Sequence, residues 1–82
     1  MEEALKSKEY VRQYRLFLLR LRQARREAGL TQVEAARRIS RPQSFISKCE
    51  SGERRVDFVE LERFARIYKK SISYFQSPKL ES

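Results

Sequence analysis

Histidine is absent from these 82 residues, and Cys49 is the only thiol. Without histidine the chain lacks the commonest general base and metal ligand. One cysteine cannot close an internal disulfide, which fits a reducing compartment, and by itself it cannot hold a metal. No pair of carboxylates sits among apolar residues in the way acid–base chemistry needs. No catalytic residue, no metal and no cofactor is therefore expected. No apolar run approaches the roughly 20 residues that cross a bilayer. The start, Met1-Glu2-Glu3, lacks the basic and apolar regions of a signal peptide, so a cytoplasmic location is expected. Strand-like alternation, internal repeats and low-complexity linkers are all missing. The two glycines and two prolines each fall where a helix would stop.

What the chain has is positive charge. Nineteen Lys and Arg against eleven Asp and Glu give a formal net charge of +8. A polyanion is the natural partner and nucleic acid the commonest one, the bland alternative being a merely soluble basic surface. The length allows one small domain, whose core must be supported by helix caps and a partner subunit.

The pattern predicts an all-α chain of about five helices. Residues 1–7 read as a frayed start, 8–76 as the domain and 77–82 as a loose tail. Ser7 can cap a first helix from Lys8 to Ala28, with Tyr10, Tyr14, Phe17, Leu18, Leu21, Ala24 and Ala28 on one face. Leu16 and Leu19 lie off that stripe, and the helix is long enough for a break near Tyr14–Leu16. Gly29 ends it. Thr31-Gln32-Val33-Glu34 is a capping box opening a short second helix, whose apolar face is Ala35, Ala36 and Ile39. Ser40-Arg41-Pro42 interrupts that run, because a residue before proline is pushed out of the α region. Gln43–Glu50 makes a third helix with Ile46 and Cys49 inward, and Gly52 supplies its left-handed stop. Asp57 and Glu60 cap a fourth helix that buries Phe58, Leu61, Phe64, Ala65 and Tyr68 and carries Lys69 and Lys70 in its last turn. Ser71 or Ser73 can start a short fifth helix with Ile72, Tyr74 and Phe75, which Pro78 stops. The pair of helices over 31–51, joined by a tight turn in a basic chain, has the layout of a helix-turn-helix unit.

Leu21-Arg22-Gln23-Ala24-Arg25, Gly29-Leu30-Thr31-Gln32, Gln43-Ser44-Phe45-Ile46-Ser47-Lys48 and Glu50-Ser51-Gly52 occur in an order and spacing that resembles the lambda-repressor-like, Xre-type helix-turn-helix regulators. The resemblance spans about Phe17 to Phe75. It implies that Gln32 holds a DNA phosphate and braces Gln43, the first residue of the recognition helix, which reads adenine. A glutamine amide can pair with adenine N6 and N7. Ser44, Ser47 and Lys48 would face the same groove, Lys48 reaching guanine O6/N7 or a phosphate. Arg54 and Arg55 would hold the backbone from the loop after that helix, and Arg41 from the turn before it. Arg25 and Glu50 match a structural salt bridge. Two departures stand out: Ser40 where the family often has glycine, and Ala35 where a larger aliphatic residue is usual.

Several residues keep two readings. Phe45 either covers the turn or meets a thymine methyl. Cys49 is either a small core hydrophobe or a redox sensor, which would need exposure. Arg37 and Arg38, and the arginines of the first helix, either reach phosphates or are solvated. Tyr10, Tyr14, Ile72, Tyr74 and Phe75 are core or homodimer surface. The expected function is a sequence-specific double-stranded DNA-binding transcriptional regulator, a repressor acting as a homodimer on a pseudo-palindromic operator, with no small-molecule ligand. The competing expectation is a helical protein–protein interaction module, antitoxin- or adaptor-like, for which DNA is secondary.

Overall fold

The computed structural model describes the backbone of residues 2–76 and the side chains of residues 7–76; the expected tail over 77–82 lies outside the described residues. Among the described residues four α-helices and a turn of 3-10 helix follow one another: α1 (Glu2–Glu27), α2 (Gln32–Ile39), α3 (Gln43–Ser51), α4 (Phe58–Tyr68) and the 3-10 helix Ile72–Phe75. There is no strand among the described residues. α1 is continuous and begins at Glu2. The expected frayed start, the cap at Ser7 and the break near Tyr14–Leu16 are therefore replaced by one helix about 39 Å long, at 1.5 Å per residue. It spans nearly the whole 43 Å long axis of the molecule.

The caps follow the local sequence. Thr31 accepts from the Glu34 amide at 3.1 Å while Glu34 accepts from the Thr31 amide at 2.9 Å. Asp57 and Glu60 do the same at 2.8 and 3.0 Å. Three helices close with the same paired bonds, in which the residue after the left-handed one donates back across the last turn. These are Leu30 to Arg25, Arg41 to Ala36 and Lys70 to Ala65. The turn residue must be left-handed: Gly29 has φ 75, but Ser40 and Lys69 reach φ 59 with a side chain in place. Lys69 is thus the stop of α4 rather than part of its last turn.

α2 and α3 pack chiefly on each other, α3 also on α1 and α2 also on α4. The core joins Leu21 and Ala24 of α1, Ala35, Ala36 and Ile39 of α2, Phe45, Ile46 and Cys49 of α3, and Phe64, Ala65 and Tyr68 of α4. Phe75 packs beside Phe17 of α1, with ring centroids 6.2 Å apart, and is itself core. Phe45 stacks on Phe64 and Phe64 on Tyr68, with centroids 6.1 and 5.7 Å apart. Phe58 departs from the expected stripe: it is 61% exposed, because the first turn of α4 stands beyond the edge of this core.

Candidate nucleic-acid interface

α3 buries Phe45, Ile46, Cys49 and Glu50, so helical spacing turns its remaining residues outward. Gln43, Ser44 and Lys48 are exposed and Ser47 is half-buried between them. The face so formed carries a carboxamide, two hydroxyls and one ammonium, with no carboxylate. It is narrow, mixed in donors and acceptors, and positive.

A chain of hydrogen bonds fixes the start of this face to the core. Glu50 is 3% exposed. It accepts from Arg25 Nε at 2.5 Å and Nη2 at 3.0 Å, while Arg25 Nη1 donates to the Leu30 carbonyl at 2.9 Å. The hydrogen bonds to Glu50, working against burial, hold the Arg25 guanidinium above its ordinary pKa. The same carboxylate accepts from Gln32 Nε2 at 3.1 Å, and Gln32 Oε1 accepts from Gln43 Nε2 at 3.1 Å. The Arg22 guanidinium stands 3.8 Å from Glu50. Each amide therefore has a fixed orientation. Gln43 keeps Oε1 and one N–H free, and Gln32 keeps one N–H beside an Oε1 already bonded to Gln43. The first can serve as donor and acceptor at once; the second suits an anion.

A family model described as a helix-turn-helix domain matches residues 17–71. A solved structure of an XRE-family like protein from Pseudomonas syringae pv. tomato superposes with a TM-score of 0.81 and 38% identity, covering 87% of each chain. The chain belongs to the Xre-type helix-turn-helix regulators. No curated protein matches it. α2, α3 and the turn between them lie within the matched residues.

The cations expected to hold phosphates divide into two kinds. Arg41 is exposed, makes no ion pair among the described residues and lies 4.8 Å from the Phe45 ring centroid. Arg54 covers the same ring at 4.7 Å, but two of its N–H groups bind the Glu60 carboxylate at 2.8 Å each and a third donates to the Arg55 carbonyl at 2.9 Å. That ion pair pulls Glu60 below its usual range and raises Arg54. Arg55 donates to the Tyr10 hydroxyl and lies over both Tyr10 and Tyr14, at 4.9 and 5.5 Å. Arg54 thus uses three of its N–H groups inside the chain and Arg55 one, unlike Arg41. Nothing local in the sequence pairs Arg54 with Glu60, which already serves as a cap.

The remaining candidates find single-chain partners. Phe45 is 7% exposed under its two guanidinium groups, so it covers the turn. Cys49 is fully buried, and burial pushes its thiol above the ordinary value. Tyr14 accepts from the Val56 amide at 3.1 Å. Tyr74 is held between Arg20 and Lys70, whose charged ends lie 5.7 and 4.5 Å from its ring centroid. Phe75 is core, Ile72 and Tyr74 are half-buried, and Tyr10 is exposed. No helix among the described residues is long and apolar enough to cross a membrane.

Proposed function

We propose that this regulator binds a specific double-stranded DNA sequence and acts as a repressor, as a homodimer on a pseudo-palindromic operator in the cytoplasm. α3 enters the major groove, and two such helices reach half-sites about 34 Å apart on one face of the duplex. Gln43, Ser44, Ser47 and Lys48 read base edges, while Gln32 and Arg41 hold phosphates. Arg54 and Arg55, which also fix the loop between α3 and α4, hold phosphates with the N–H groups they keep. The exposed parts of Tyr10, Ile72 and Tyr74 are the surface available to a second subunit. The protein has no catalytic step and takes no cofactor.

One observation carries this reading. The Gln43 amide is oriented by Gln32 at the open end of α3 and retains one donor and one acceptor, the pair that the N6 and N7 edge of adenine requires. Selection from a random duplex library at about 0.15 M salt tests it, with an inverted repeat as the expected product. Gln43→Ala should then cost about 1–3 kcal/mol on the selected operator, relax one base position and leave random-sequence binding alone. An equal loss on random DNA would contradict base readout by Gln43.

A further inference from the structure

A second basic surface lies outside the helix-turn-helix face. Lys8, Arg12, Arg15, Leu19, Arg22 and Arg26 recur along α1 at alternating steps of four and three, which places them on one face of the helix. All six are exposed. Few carboxylates oppose them: Glu9 pairs with Arg12, Glu50 lies 3.8 Å from Arg22, and Glu27 is bound by Lys70 at 2.6 Å. Lys8, Arg15 and Arg26 have no ion pair among the described residues.

The stripe is continuous with the recognition unit. Arg15, Leu18, Leu19 and Arg22 share a shallow hollow with Glu50 and Ser51 at the end of α3. From Arg22 the contacts pass through Glu50 and Gln32 to Gln43. A second copy of this chain would set like charges against like if it paired through the same stripe. A row of cations that starts beside the recognition helix is matched instead by a row of phosphates. From Arg22 to Lys8 the helix rises about 21 Å, which laid along the duplex axis covers about six base-pair steps at 3.4 Å each.

We infer that the Lys8–Arg22 stripe of α1 binds the sugar-phosphate backbone of the duplex read by α3, extending the contacted strand by about six nucleotides. This rests on the function proposed above and adds to it a second, sequence-independent contact surface. Leu19, 61% exposed in the middle of the stripe, lies against deoxyribose between phosphates.

The test compares the intact protein with its Lys8→Gln/Arg15→Gln variant on the selected operator. The readouts are the dependence of affinity on salt and a hydroxyl-radical footprint. The variant should lower the slope of log affinity against log salt by about 3.6, since each phosphate contact contributes about 0.9 and each of the two subunits loses two. Its footprint should shorten at the outer end of each half-site while the selected bases stay the same. Arg15→Lys keeps the charge and should keep the slope, and an unchanged melting temperature shows that both variants fold. Equal slopes and footprints in wild type and variant would overturn the inference. A dimer that falls apart in sedimentation with its slope unchanged would also overturn it, assigning the stripe to a protein surface. A wild type that enriches no sequence would sink the proposed function alone, and the slope on random duplex would still decide whether the stripe binds DNA.

Discussion

Glu50 shows how much can depend on one carboxylate. It is buried at the end of α3, yet it accepts from two residues of different elements and approaches a third. Burying such a charge is costly unless it is paired and hydrogen-bonded. Arg25 supplies both, and removing it leaves the carboxylate short of its main partner in the interior. Arg25→Ala should therefore destabilise the fold by about 3–5 kcal/mol, seen as a large drop in melting temperature. The Gln32 bond to Glu50 should be disturbed as well, so DNA affinity falls along with stability. A melting temperature within a degree of wild type would refute the structural role. Gln43 occupies the other end of the same chain, where the effect is on recognition and hardly on stability.

At the scale of the elements, the helix ends carry the fold's strain. Gly29 and Gly52 are both left-handed, but their surroundings differ. A Cβ at Gly29 would meet nothing within 4 Å, whereas one at Gly52 would lie 2.9 Å from Leu18 Cδ1 on α1. Gly29→Ala should cost about 1 kcal/mol from backbone strain alone. Gly52→Ala should cost slightly more, since the end of the Leu18 side chain must also shift. Denaturant midpoints of the two variants check the order, and a smaller loss at Gly52 would refute it. Ser40 and Lys69 occupy the same backbone region without glycine's freedom. The bonds closing α2 and α4 hold them there.

For the whole molecule, stability against acid follows from three carboxylates held below their ordinary value of 4.5: Glu27 by Lys70, Glu34 by the Thr31 amide and Glu60 by Arg54. A group with a lowered folded-state pKa contributes stability above its unfolded value and loses it as pH falls through the folded one. The melting temperature should be flat from pH 7 to about 5 and decline below about 4.5. Glu60→Gln should flatten part of that decline, and a variant with the wild-type profile would refute its share. The excess positive charge acts at this scale too. It makes DNA affinity steeply dependent on salt whichever bases are read.

The amino-acid sequence determined the elements by interactions spanning four residues or fewer. Thr31 with Glu34, Asp57 with Glu60, and glycines 29 and 52 set the limits of α2, of α4 and of two helix ends, and apolar spacing made the chain all-α. The exposed face of α3 was legible for the same reason, since Ile46 and Cys49 fix which side turns inward. Tertiary structure decided which cations remain available. Arg55 reaches Tyr10 and Tyr14, the Val56 amide meets Tyr14 across 42 positions, and Arg20 meets Tyr74 across 54. No local pattern encodes such meetings, because they exist only after the helices have packed. The same holds for Phe58, whose apolar spacing matches the stripe of α4 but whose turn lies past the edge of the core. Helix periodicity orders residues around an axis; only the packed neighbours decide which of them are covered and which charges stay free.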